Sequence, residues 1–176
     1  MGFRAFLAML LCFAAVPSNA QPSKMSDEQQ AWFYCLVSKK WCVASSADKN
    51  TREEKLVAMV SANKPARVQG HVSRVTLQVA CSDGKPVTML MTGREIDSGD
   101  IALHYQVAPS GKAGGITAKP ASAGHFFEIQ NESFLKDLRD SSKATVELSF
   151  PSEPKPSTLE YDLTGMDAAL KRLGCF

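Results

Sequence analysis

Three histidines, His71, His104 and His125, are the imidazole bases available to this 176-residue chain. His104 follows Asp97, Ser98 and Asp100 closely, which are the residue types of a hydrolase that couples a base to a hydroxyl and a carboxylate. It sits, however, in an alternating stretch in which Ile101, Leu103, Tyr105 and Val107 take one face. That alternation turns His104 and Gln106 outward, the ordinary placement of a solvent-facing strand residue. No GxSxG or HExxH motif accompanies it. A second chemistry is suggested by Met89 and Met91, two apart and so on one face of a strand. Thioethers joined by a histidine hold Cu(I), and methionine is equally a packing residue under a helix. A third set is aromatic: Trp32, Phe33, Tyr34 and Trp41 form a candidate interaction surface, or else a small core packed on a disulfide.

The compartment decides how the cysteines are read. Arg4, the apolar run Phe6 to Val16 and the small residues Ser18-Asn19-Ala20 have the layout of a secretory signal peptide cleaved near Ala20. That run is too short to span a bilayer, and Cys12 follows Leu11 without the small residue expected before a lipidated cysteine. Removing the first 20 residues leaves 156, enough for one exported α+β domain over 21–176. Four cysteines remain, Cys35, Cys42, Cys81 and Cys175. An even number in an exported chain predicts two disulfides, with three connectivities open. Zinc is disfavoured by the lack of any CxxC and of histidines at ligand spacing. If Cys35 and Cys42 pair, a helix cannot run through both: seven helical residues separate Cα atoms by about 10 Å, against about 4.4–6.8 Å in a disulfide. The remaining Cys81–Cys175 pair would then tie the C-terminus to the middle of the fold.

Charge is nearly balanced, with 20 basic and 18 acidic residues, and only Lys39-Lys40 and Lys171-Arg172 are adjacent basic pairs. Such a balance argues against a nucleic-acid partner, because affinity for phosphates needs clustered Lys and Arg. No segment reaches the length of a transmembrane helix, and no residue pattern calls for a cofactor.

The elements follow from local patterns. Ser26 to Gln29 is a capping box opening a helix that should end near Lys39-Lys40. Thr51 to Glu54 reads as a second cap, opening a helix stopped by Lys64-Pro65, so that 26–64 is expected to be helical. From 68 to 163 the pattern is β-rich. Val72 to Cys81 alternates, Asp83-Gly84 is a two-residue hairpin turn, and Val87 to Met91 returns. This register sets Val79 against Thr88, Leu77 against Leu90 and Cys81 against Pro86, with Met89 and Met91 opposite Gln78 and Thr76. Both faces of the hairpin are partly apolar, which requires a cover for the second face. Pro109 to Gly124 reads as a loop or insertion, and Pro151 to Pro156 as a connection. Strands at His125 to Gln130, Thr145 to Phe150 and Leu159 to Leu163 flank a helix at Asn131 to Arg139. A last helix over 165–174 is capped by Thr164. The fold class is α+β: a mainly antiparallel β-sheet or sandwich with N- and C-terminal helices, stabilised by disulfides.

The run from Leu77 to Lys85, the segment Phe134 to Leu138, and the ending Leu159 to Met166 with Ala168-Ala169-Leu170 and Cys175 resemble periplasmic type VI secretion accessory proteins of the TagO/VasI kind. The likeness covers roughly residues 72 to 176. Cys35 and Cys42, placed after an aromatic cluster, are closer together than in that group and look more like the exported invasion-associated locus B family. Both resemblances imply an exported, non-enzymatic accessory domain, periplasmic or secreted, whose partner is another envelope or secreted protein. The alternatives are a periplasmic hydrolase using His104 and a copper-binding protein using Met89 and Met91.

Overall fold

The computed structural model describes residues 25–47, 54–96, 99–121, 124–151 and 153–176. The signal peptide, the Thr51-Arg52-Glu53 capping signal, Asp97 and Ser98 lie outside the described residues. The chain opens with helix α1 (Asp27–Val37), followed by strands β1 (Cys42–Ala47), β2 (Glu54–Ser61), β3 (Ala66–Val68), β4 (His71–Ser73), β5 (Thr76–Ser82), β6 (Lys85–Met91), β7 (Ile101–Ala108), β8 (Ala113–Pro120) and β9 (Phe126–Ile129). Helix α2 (Glu132–Arg139), strands β10 (Lys143–Ser149) and β11 (Ser157–Asp162), and helix α3 (Met166–Lys171) complete it. Nine strands form one antiparallel sheet in the order β1-β2-β5-β6-β9-β8-β7-β10-β11, and β3 pairs with β4 beside it. The α+β, mainly antiparallel reading therefore holds.

The β5–β6 hairpin has the register its turn dictates. Asp83 and Gly84 both take positive φ (51° and 72°), the conformation a two-residue hairpin loop demands. Val79 pairs with Thr88, Leu77 with Leu90, Cys81 with Pro86, Gln78 with Met89 and Thr76 with Met91. The sheet rolls so that its end returns towards its beginning: β11 touches β2 and β3, and the Asn63 N–H donates to the Glu160 carbonyl at 2.8 Å. Leu77, Leu90, Phe127, Leu103, Val146 and Tyr161 line the enclosed side and are fully buried. Burial pushes the Tyr161 phenol up from its ordinary pKa.

Helix α2 packs onto this core. Asn131 caps it, its side-chain oxygen accepting from the Phe134 N–H at 3.0 Å. Phe134, Leu135 and Leu138 face inward, with the Phe134 ring edge-on to Tyr105 at 4.9 Å. A polar latch holds the other side. The Tyr105 hydroxyl donates to Asp137 Oδ2 at 2.9 Å, and Lys112 Nζ donates to Asp137 Oδ1 at 2.8 Å. The Lys112 hydrogen bond, then the Tyr105 one, holds the Asp137 carboxyl below its usual range. The Tyr105 phenol is raised, chiefly by burial and then by the same carboxylate.

Three expectations are corrected. The second helix within 26–64 is strand β2, preceded by the unanticipated strand β1. Val57, Ala58, Met59 and Val60 are all buried, so β2 lies under cover on both faces and loses the alternation that marks a strand. The stretch Pro109 to Gly124 is not a loop, because β8 runs through it in the middle of the sheet. Its glycines are required by the neighbouring strand: a Cβ on Gly114 would meet the Tyr105 ring at 2.7 Å, and one on Gly115 would meet the His104 ring at 3.2 Å. Finally, α3 is capped by Gly165 at φ 87° with no side-chain hydrogen bond; the Thr164 N–H instead donates to Asp162 Oδ1 at 2.9 Å.

Candidate functional site

The capping box at the start of α1 is formed in both directions. The Gln29 N–H donates to Ser26 Oγ at 3.2 Å, and the Ser26 N–H donates to the Gln29 side chain at 3.0 Å. The helix stops at Val37, because Ser38 adopts an extended conformation (φ −68°, ψ 135°). The chain then turns back, which lets Cys35 and Cys42 bond with their Cα atoms 5.7 Å apart. Cys81 and Cys175 form the second disulfide, 5.9 Å between Cα atoms, so the four cysteines join in the connectivity that requires α1 to end early.

Helix α1 covers β1 and β2 and, among the described residues, reaches the β5–β6 hairpin only at Ala80. Cys35 packs with Ala44, Val57 and Met59, and Trp32, Leu36 and Ala80 close the cluster. Both terminal carbonyls of the helix are satisfied from the sheet side. The buried Ser61 hydroxyl donates to the Leu36 carbonyl, and the Arg74 guanidinium donates to the Val37 carbonyl at 3.0 Å. A cation there also suits the negative end of the helix dipole.

The opposite side of α1 is bare. Phe33 is 61% exposed, Tyr34 68% and Val37 43%, with Met25 close to the helix start at 46%. Phe33 and Val37 are one helical turn apart and share a face. The four aromatics singled out from the sequence therefore divide. Phe33 and Tyr34 form an outward surface; Trp32 is half-buried on the disulfide, and Trp41 is half-buried against the main core. Three consecutive residues of a helix point 100° apart, so Trp32, Phe33 and Tyr34 cannot all serve one purpose. Val37 is the member that sequence reasoning left out. Its signal was its spacing of four from Phe33.

The other candidates are dispersed. His104 is exposed on β7, paired with Glu147 of β10 on one side and Gly115 of β8 on the other. Asp100 is exposed just before the strand. Met89 and Met91 are half-buried on the outer face of β6, where the Gln78 amide donates to Met91 Sδ at 3.4 Å. His125 sits next to β9 with the strand parity of buried Phe127, which faces the core, whereas Met91 pairs with Phe126. Among the described residues no three His, Cys, Asp or Glu side chains gather as a metal centre.

A groove of about 1140 Å³ runs between β6, β9, α2 and the C-terminus, with Val87, Gln130, Lys136, Arg139 and Phe176 in its walls. Of the two basic side chains in its walls, Arg139 is engaged: it pairs with Asp167 at 2.9 Å and lies 5.3 Å from the Phe176 ring centroid. Asp167 also binds Lys171 at 2.7 Å, and these two cations, Lys171 first, hold its carboxyl below the usual range.

No helix among the described residues is long and apolar enough to cross a membrane. No family model matches the chain, and no curated protein matches it. Among solved structures, the crystal structure of invasion associated protein B from Bartonella henselae aligns over 76% of this chain and 89% of its own, at 17% identity and a TM-score of 0.49. Its name coincides with one of the two families that the sequence resembles, but a likeness of that size decides nothing between them.

Proposed function

We propose that the protein is an exported, non-enzymatic accessory domain of a bacterial envelope or secretion pathway, and that it binds another envelope or secreted protein through the outer face of α1. The observation that carries the reading is the exposure of Phe33, Tyr34 and Val37 on a helix fixed by a disulfide and by bonds to its terminal carbonyls. Exposed aromatic side chains on a rigid support are the usual anchors of protein interfaces, because little side-chain entropy is lost on binding. The signal-peptide layout of residues 1–20 and the two disulfides support delivery to an oxidising compartment, periplasmic or extracellular. A role beside a type VI secretion apparatus is the finer reading, supported by the resemblance of the Leu77 to Lys85 and Leu159 to Met166 segments.

The test is photo-cross-linking in cells from position 33 or 34 of the exported protein, followed by mass spectrometry. A reproducible envelope or secretion partner is expected, with capture lost in the Phe33→Ala/Tyr34→Ala double variant at an unchanged melting temperature. Capture that survives that variant would remove α1 as the contact.

A further inference from the structure

The two edges of the rolled sheet are treated differently. At one edge, β11 is covered: it touches β3, its Glu160 carbonyl accepts from the Asn63 N–H, and the Ser157 hydroxyl donates to the Arg67 carbonyl. At the other edge, among the described residues, β1 pairs with β2 alone. The direction of its backbone groups follows from the ladder. The Ser61 N–H donates to the Ser38 carbonyl, so Ser61, Met59 and Val57 of β2 turn their backbone groups towards β1. Cys42 and Ala44, their partners, are thereby bonded inward. Val43, Ser45 and Ala47 alternate with them and aim their N–H and C=O groups out of the sheet, and no described residue accepts or donates there.

Natural sheets blunt such edges with Lys, Pro, bulges or a covering segment. The sequence Cys-Val-Ala-Ser-Ser-Ala of β1 holds neither charge nor proline. We infer that the outer edge of β1 pairs with the same edge of a second copy of this chain, antiparallel about a two-fold axis through Ser45. That register sets Ser45 against Ser45, Val43 against Ala47 and Ala44 against Ser46. Every pair is small and uncharged, so the strand is complementary to itself. It supplies no like-charge contact to oppose the pairing and brings three outward residues from each copy into the ladder. A foreign strand is the less suited occupant. Strand addition by a foreign segment draws its specificity from pockets for alternate side chains, whereas the small, uncharged residues of β1 match their own antiparallel copy. One strand pair falls short of the roughly 1,200–2,000 Å² that stable interfaces bury, so the dimer is weak and concentration-dependent. This inference is independent of the α1 face: the Phe33→Ala/Tyr34→Ala variant should self-associate as the parent does.

The test is sedimentation velocity of the oxidised mature protein across a concentration series. Ser45→Pro removes an outward N–H that the β2 ladder does not use, so the fold should stand while the dimer dissociation constant rises by about tenfold or more. Ser45→Lys and Ser45→Glu set like charges across the axis, so each alone should be monomeric and their mixture should dimerise. In the unsubstituted protein, hydrogen exchange at Val43, Ser45 and Ala47 should slow with concentration, while exchange at Cys42 and Ala44 should not. A chain that stays monomeric throughout the series, or a dimer indifferent to Ser45→Pro with those amides unprotected, overturns the proposal.

Discussion

Helices α1 and α2 are both short and both capped by a side chain, yet they are held by opposite means. Helix α2 buries Phe134, Leu135 and Leu138 in the main core, while α1 buries only Cys35. What α1 lacks in burial is supplied by a covalent bond and by donors to its last carbonyls. An element attached in this way contributes little apolar burial to the core, which leaves its outer side chains free to be chosen for a partner. The same contrast separates the disulfides. Cys81–Cys175 spans 94 residues and joins β5 to the chain end, whereas Cys35–Cys42 spans 7 and fastens one helix.

The sharpest break of the comparison is to remove each disulfide in turn. In the chain-entropy account the long closure is worth about 4.7 kcal/mol and the short one about 2.5 kcal/mol. Cys81→Ser/Cys175→Ser should therefore lower the stability measured by urea unfolding far more than Cys35→Ser/Cys42→Ser. The latter should leave the main transition standing and act on capture of the partner. Equal losses from the two would mean that α1 is part of the core after all. Side-chain truncation comes next. Phe134→Ala should cost about 3–5 kcal/mol, as for a large aromatic lost from a packed interior, and Phe33→Ala should stay within about 0.5 kcal/mol.

The residues that made α2 and the β5–β6 hairpin readable were local. Asn131 sits three residues before Phe134, and Asp83-Gly84 fixes a register that follows by counting. Strand β2 was unreadable for a physical reason: buried on both faces, it shows a continuous apolar run, and the acidic pair Glu53-Glu54 where it begins imitates a helix start. Strand β8 was hidden by glycines whose cause is the Tyr105 and His104 rings of another strand, a contact no local window contains. The candidate site was half legible. Helical phase already separates Trp32 from Phe33 and Tyr34, but which side faces outward depends on β1 and β2, and neither had been identified as a strand.

A smaller effect separates the two caps. Asn131→Ala removes the bond to the Phe134 N–H at the head of a buried helix and should cost about 1 kcal/mol in the global transition. Ser26→Ala removes the hydroxyl that accepts from the Gln29 N–H and keeps the backbone N–H that donates to the Gln29 side chain, but at a helix joined to the core mainly through one disulfide. Its loss should appear as faster hydrogen exchange in the first turn of α1, with the global midpoint almost unmoved.

Acid should also act on the two helices unequally. The end of α1 is held by the Cys35–Cys42 disulfide and by donors to its last carbonyls, the Arg74 guanidinium among them. Helix α2 is latched through Asp137, whose pKa is depressed by Lys112 and Tyr105. A carboxyl with a lowered folded-state pKa contributes stability that is complete above its unfolded value, about 3.9, and is lost as the pH falls through the folded value below it. Between pH 5 and pH 2 the stability gap between the parent protein and Asp137→Asn should therefore narrow. Because Lys112 is half exposed, added salt should narrow it further at pH 5. Exchange at α2 should quicken over the same acid range while exchange at α1 changes less. Were α1 to loosen first instead, its anchorage would have to include a carboxylate, and the division between a helix held by packing and charge and a helix held by a covalent tether would fail at that point.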